Sequence, residues 1–430
     1  MYAELLSFAF LFITLSDLGV NQYLTKTLSA SPDQLKTVYP NVFGLKLLLL
    51  VGYPAVMLAV GLLMGYPTRE LLFLMLLSLV WGGHQLTQFF RSNFQAMQRF
   101  KVDSVASVLD RVILLGLVAL LFMTTLDIER FVYARLIATG GAMLIFLVVL
   151  SRYYGWIAPR LDKLSLGKIL KLSIPFALIT ILNSVHDKVD QVMLGQLYDD
   201  HETGLYAAAY RWMDVFSMYL WTVLAIFFAR FAFNLYKFKE QEKLLHFGQV
   251  IVAIPMIFVC VWTQFEGELL FWLMDESTSA EVVSMTAALQ VLFLATWVHS
   301  MFVIYGTLLS AANHERFVNL AILGGITINV TLNFIFIPEY GALAAAWSTV
   351  ASYSLMSIAY VIYTHFRTPI GVPYGKLLKL ALATAALYGS FYFLQDLELQ
   401  WYVDAVIAGV GYLGLVFVLG LVPRGMLRRE

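Results

Sequence analysis

Residues 47–68 read LLLLVGYPAVMLAVGLLMGYPT. No position in this stretch carries a formal charge, and about 20 mostly apolar residues suffice for a helix to cross the hydrocarbon core of a bilayer. A membrane-spanning barrel would alternate apolar and polar positions, whereas this run is unbroken. Residues 71–90, 340–366 and 405–423 are likewise free of Asp, Glu, Lys and Arg. The surrounding chain has the same character. Its 430 residues are 60% hydrophobic and 13% charged, with a mean hydropathy of +0.78. Ordinary globular domains carry about 25% charged residues, so a water-soluble fold lacks the charge to cover its surface. The fold class is therefore an all-α polytopic membrane protein.

Thirteen spans are expected, near 3–25, 40–64, 70–92, 103–124, 129–150, 170–197, 203–229, 245–264, 282–311, 317–337, 341–366, 377–395 and 402–422. Alternate connections differ sharply in charge. One set holds 21 Lys and Arg, among them Arg91, Arg99, Lys101, Arg152, Arg160, Lys163, Lys237 and Lys239. The other set holds only Arg69 and Arg130 and is rich in acids such as Asp199, Asp200 and Glu202. By the positive-inside rule the basic side is cytoplasmic, which places the basic C-terminal tail (Arg424, Arg428, Arg429) inside.

An internal repeat is read from the order of spans and loops. Arg99-Phe100 follows the third span as Arg316-Phe317 follows the ninth, and Leu5-Leu6-Ser7-Phe8-Ala9 matches Leu205-Tyr206-Ala207-Ala208-Ala209 in place. The first five spans then correspond to the seventh through eleventh, and the span at 170–197 has no counterpart. That register implies a fourteen-helix plan whose first helix would precede Met1. The expected domains are an N-terminal lobe at 1–150, a cytoplasmic amphipathic linker at 151–169, a C-terminal lobe at 170–366, and two additional helices with the basic tail at 367–430.

Several function classes are excluded. Lys and Arg equal Asp and Glu at 28 each, which leaves no nucleic-acid footprint. The single cysteine, Cys260, excludes an internal disulfide. No phosphate-cradling Gly-rich loop and no HExxH motif is present, so neither ATP hydrolysis nor a zinc-protease site is expected, and no cofactor is implied.

An ionisable residue at the centre of a span costs at least about 2.5–3.5 kcal/mol on insertion scales, so such residues face a cavity or one another. They concentrate in a few spans. The first has Thr14, Asp17 and Asn21 at i, i+3 and i+7, one helical face. The span at 129–150 has Arg135. The span at 170–197 has a stripe of Asn183, Asp187, Asp190 and Gln191 with Lys188 beside it, and the next has Tyr210, Arg211 and Asp214. The pattern points to a wet polar cleft between two halves that binds a polar, anionic headgroup and a coupling ion. The alternative is salt bridging that pins helices together, with Arg211 and Asp214 as a self-neutralising i, i+3 pair. Asn329 and Asn333 read as interhelical hydrogen-bond glue.

Three stretches carry a resemblance. DLGVNQYLT at Asp17–Thr25, VDQVMLG at Val189–Gly195 with GLYAAAYR at Gly204–Arg211, and NVTLNFIFIPEYGA at Asn329–Ala342 are similar, in this order, to segments of the Wzx-like polysaccharide-biosynthesis flippases. That family sits in the multidrug/oligosaccharidyl-lipid/polysaccharide exporter superfamily. The resemblance implies two pseudo-symmetric six-helix lobes around a central cleft, two C-terminal helices, and residence in the inner membrane. It also implies flipping of an undecaprenyl-pyrophosphate-linked oligosaccharide for O-antigen, capsule or exopolysaccharide, by alternating access coupled to H+ or Na+, with a polysaccharide polymerase as a further partner. Carried onto this chain, Arg211 and Lys188 attract the pyrophosphate, with Asn183, Tyr210 and Arg135 in the cleft. Asp187, Asp190, Asp214 or Asp17 bind the coupling ion or partner the bases. A multidrug/cation antiporter of the same superfamily and a membrane-embedded polymerase are the alternatives.

Overall fold

The computed structural model describes residues 8–9, 12–122, 128–272, 278–397 and 400–421. The basic tail at Arg424, Arg428 and Arg429 lies outside the described residues, as do Asp275, Glu276 and Glu398. Among the described residues the long elements are all helices: α1 (Val20–Ala30), α2 (Leu35–Leu63), α3 (Thr68–Ala96), α4 (Phe100–Phe122), α5 (Ile128–Tyr154), α6 (Lys163–Leu197), α7 (Asp200–Phe233), α8 (Phe238–Glu266), α9 (Ser279–Ala311), α10 (Glu315–Arg367), α11 (Tyr374–Gln395) and α12 (Trp401–Val418).

Eleven of these runs are long and apolar enough to cross a bilayer. The longest, α10, is two helices joined at Gly341, whose φ of 53° and ψ of −131° are non-helical. A glycine accepts that left-handed φ without steric cost, and Pro338 just ahead already removes a helix donor. This run therefore takes two of the thirteen expected spans, 317–337 and 341–366.

The first expected span needs correction. Residues 3–25 are not one helix. Ile13–Ser16 form a 3₁₀ turn, Leu18 and Gly19 take positive φ of 46° and 76°, and α1 begins only at Val20. A Cβ on Gly19 would lie 2.4 Å from the carbonyl oxygen of Ser173 on α6, so the close helix approach as well as the backbone demands glycine. The break also removes the common face expected for Thr14, Asp17 and Asn21.

Helix starts follow local chemistry. Thr278 and Glu281 form a capping box at the head of α9. The Asp199 carboxylate accepts from the Glu202 amide at 2.7 Å to cap α7. The 151–169 linker is mostly helical: α5 runs to Tyr154 and α6 starts at Lys163, leaving residues 155–162 as the irregular connection.

The chain divides into two compact units, residues 1–181 and 182–430, with the seam inside α6. In the first, α3 packs on α1 and α5, and α5 on α4. Its core is aromatic: Tyr39 and Phe43 of α2 stack on Phe89 of α3 at 5.5 and 5.6 Å between ring centroids. In the second, α9 is central and packs on α7, α8 and α10, while α11 and α12 pack on α8. Tyr206, Leu289, Leu292, Phe293 and Ile337 fill the middle. Large apolar side chains such as Leu63, Leu115, Leu164 and Phe393 are exposed on the outside, as lipid-facing positions are.

Candidate functional site

Buried carboxylates of the second unit stand on α6, at Asp190, and on α12, at Asp404. Asp190 is almost fully buried, and its neighbours are neutral. Tyr206 of α7 donates its hydroxyl to Oδ2 at 3.1 Å, and Thr349 of α10 donates to the same oxygen. Asn333 of α10 donates from Nδ2 to Oδ1 at 2.7 Å and, at 3.0 Å, to Oδ1 of Asn329. Hydrogen bonds to the ionised form hold a carboxylate in place, but no cationic side chain touches Asp190 among the described residues. The Oδ1 of Asn333 is buried without a donor. The cluster thus holds a carboxyl among neutral partners, with an unmatched acceptor at Asn333 Oδ1 and an unmatched donor at Asn329 Nδ2.

One turn earlier, Asp187 is half-buried. The hydroxyl of Tyr353 donates to its Oδ1 at 3.4 Å, and His186 Nδ1 lies 3.7 Å from the same atom. The ring of Tyr353 is sandwiched between His186 and His299, at 4.8 and 4.2 Å. His186 Nε2 pairs with Ser352 at 2.8 Å.

Lys188 sits beside this cluster on the open side of α6. Its ammonium lies 3.4 Å from Asp214 Oδ2 and 4.8 Å from the centroid of the Tyr210 ring, a cation–π contact. The side chains of Lys188 and Asp214 remain 55% and 46% exposed. Asp214 lies about 21 Å along α7 at 1.5 Å per residue, a depth at which lipid is not a tolerable neighbour.

The structure thus brings together Asp190 with Tyr206, Asn333 and Thr349, Asp187 with Tyr353 and His186, and Lys188 with Tyr210 and Asp214. The alternative reading, an Arg211–Asp214 pair, is not what forms. Arg211 points outward on α7, exposed, because Tyr206, Tyr210 and Met213 occupy the buried face; Asp214 pairs across to Lys188 instead. Asn183 is half-buried on α6 one turn before Asp187.

Two candidates lie in the first unit. Arg135 of α5 stacks its guanidinium over the Trp81 ring of α3 at 5.1 Å. Asp17 is paired with Lys46 of α2 at 2.6 Å, and the Lys46 side chain is 0% exposed. Sequence reasoning missed Lys46, which stands in an otherwise apolar helix 29 positions from its partner. It also missed Thr349, Tyr353 and His186. The signal for Lys46 was its own cost, a lone lysine inside a span that requires an acid nearby.

The sequence model of the polysaccharide biosynthesis protein family matches residues 1–232 of the 430. No curated protein sequence matches the chain. Among solved structures, the lipid II flippase MurJ in an inward closed conformation superposes with a TM-score of 0.66 at 13% identity, over 99% of this chain and 93% of that one. An outward-facing multidrug resistance MATE family transporter of the MOP superfamily gives 0.69 at 13% identity, over 84% and 85%. A MOP superfamily transporter from Pyrococcus furiosus gives 0.68 at 13% identity, again over 84% and 85%. At such identity the likeness is one of fold: an all-helical transporter fold that spans the membrane many times.

Proposed function

The chain belongs to the polysaccharide biosynthesis protein family, and on that premise we propose that it flips a polyprenyl-pyrophosphate-linked oligosaccharide from the cytoplasmic to the outer leaflet of the inner membrane. The observation that carries this reading is the half-exposed Lys188–Asp214 pair deep along α6 and α7, with Arg211 exposed one turn away. Water and an anionic passenger suit such charges; hydrocarbon does not. Lys188 and Arg211 attract the pyrophosphate, as cationic side chains do for phosphate. Asn183 offers hydrogen bonds to sugar hydroxyls and Tyr210 a stacking face. The polyprenyl tail stays in lipid.

The coupling ion is assigned to Asp190. A proton or Na+ would neutralise its charge, and the oxygens of Asp190, Asn329, Asn333 and Thr349 are the hard donors that Na+ prefers. A ligand moves a two-state transporter only by binding one state better, and a buried, uncompensated carboxylate can supply that difference. Asp17 is the weaker candidate because Lys46 already neutralises it.

The test is depletion of the protein in its native cells, with polyprenyl lipids read by mass spectrometry and surface glycan measured in parallel. The flippase reading expects a polyprenyl-pyrophosphate oligosaccharide to accumulate while surface polymer falls. Unchanged lipids and glycan, with retention of toxic cations, would instead establish the antiporter alternative.

A further inference from the structure

The contact between Lys188 and Asp214 is loose. The ammonium stands 3.4 Å from Asp214 Oδ2, against about 2.7–2.9 Å for a tight charge-assisted hydrogen bond. Both side chains are about half exposed, and ion pairs of that exposure are weak. Lys188 also has a seat of its own. Its ammonium lies 4.8 Å from the centre of the Tyr210 ring. Tyr210 is buried and packs at 5.9 Å on the ring of Tyr206, which donates to Asp190. The ammonium is therefore still presented when the carboxylate leaves it. Asp214, by contrast, makes no other hydrogen bond or ion pair among the described residues.

The neighbouring charges are arranged differently. Asp187 precedes Lys188 in sequence but turns to Tyr353 and His186, at 3.4 and 3.7 Å. Asp190 is enclosed among neutral partners. Arg211 lies one turn before Asp214 on α7 and is exposed, while Asp214 pairs across to Lys188 rather than to it. Of the two cations on this open side, Arg211 is thus free to meet an incoming anion, and Lys188 already holds a carboxylate of the chain itself. A carboxylate and a phosphate both take an ammonium's N–H donors, so they compete for Lys188.

We propose that Asp214 is an internal competitor of the passenger's diphosphate at Lys188. This rests on the diphosphate binding at Lys188, as the transport reading has it. Its arrival is then an exchange. A phosphate takes the ammonium, which stays seated on Tyr210, and the half-exposed carboxylate of Asp214 turns to water. Departure is the reverse, with the carboxylate retaking the ammonium. Asp214 thus lowers the affinity of a cationic site for a polyanion and lets the passenger leave.

The exchange is read by binding of farnesyl diphosphate to the full-length protein in neutral detergent at fixed ionic strength. Asp214→Asn keeps the shape of the side chain and removes its charge. It should tighten binding about fivefold, equivalent to about 1 kcal/mol, with an unchanged thermal midpoint because the pair is half exposed. Lys188→Gln should weaken binding. In that background Asp214→Asn should tighten it by less than about twofold, because the ammonium in contention is gone. Tightening of equal size with and without Lys188 would overturn the competition, since a general loss of negative charge would then account for it. Equal affinity of wild type and Asp214→Asn, with Lys188→Gln still weaker, would overturn it and leave the diphosphate at Lys188. Absence of binding by wild type and Asp214→Asn alike would overturn both the competition and the placing of the diphosphate at this pair.

Discussion

The two units bury charge in opposite ways. In the first, Asp17 and Lys46 neutralise each other at 2.6 Å, and the lysine is wholly enclosed. In the second, Asp190 is enclosed just as fully, yet its partners are a tyrosine, a threonine and an asparagine. The first arrangement is electrically complete. The second sets Asp190 among neutral dipoles alone. A closed pair suits a joint that keeps α2 against the broken segment at Asp17–Gly19. An open carboxylate suits a site that changes occupancy during transport.

The contrast is sharpened first by breaking the closed pair. Lys46→Ala leaves the half-buried Asp17 unpaired, and should cost up to about 3–5 kcal/mol, read as a large loss of thermal midpoint in detergent. Lys46→Ala combined with Asp17→Ala should cost less than the lysine variant alone, because no charge is then orphaned. Equal losses would show that the pair is not electrostatically coupled.

Next in size is the open site. Asp190→Ala orphans the Tyr206 hydroxyl and one N–H of Asn333, each costing about 1–3 kcal/mol if left unpaired, while the Thr349 hydroxyl keeps the Ala345 carbonyl. Unlike the lysine variant, it should be rescued in stability by Asp190→Asn, which keeps the shape and an acceptor. Denaturation midpoints of the two variants check this.

A comparable but purely conformational effect is expected at Gly19. Alanine there must hold a left-handed φ and meet the Ser173 carbonyl, at about 1–3 kcal/mol. The same replacement at Gly167, where nothing stands within 4 Å of an added Cβ, should be close to neutral by the same thermal assay.

The smallest effect belongs to an exposed carboxylate outside both sites. Asp162 precedes α6 and accepts from the Ser165 hydroxyl and amide. The hydroxyl hydrogen bond, foremost, holds its carboxyl below the usual carboxylate range. Its contribution is therefore present above that range and is lost as pH falls through the lowered value. The thermal-midpoint gap between wild type and Asp162→Ala should be small at neutral pH and close in acid.

Much of the fold was legible because membrane helices are written in long apolar runs and in loop charge. On the span at 170–197, Asp187 and Asp190 of the expected stripe both reach α10, at Tyr353 and at Asn333 and Thr349. Partners were harder to see. Asp190 is 143 positions from Asn333 and 159 from Thr349, and a Thr or Asn in an apolar helix carries no local sign of what it touches. The alternative of a self-neutralising Arg211–Asp214 pair is not what forms, because helical spacing says which residues are near, not which way a tyrosine-lined face turns. The break at Asp17–Gly19 did have a local sign, a glycine inside a short polar stretch, but the apolar residues on either side outweighed it.

The measurement that bears most directly on the account is complementation of depleted cells with Asp190→Asn, scored by surface polysaccharide and by lipid-linked oligosaccharide in the membrane. The account predicts a protein as stable as wild type that fails to restore surface polymer, with the lipid-linked precursor still accumulated. Full restoration by Asp190→Asn would contradict it, because transport would then run without the buried carboxylate to which the coupling ion is assigned.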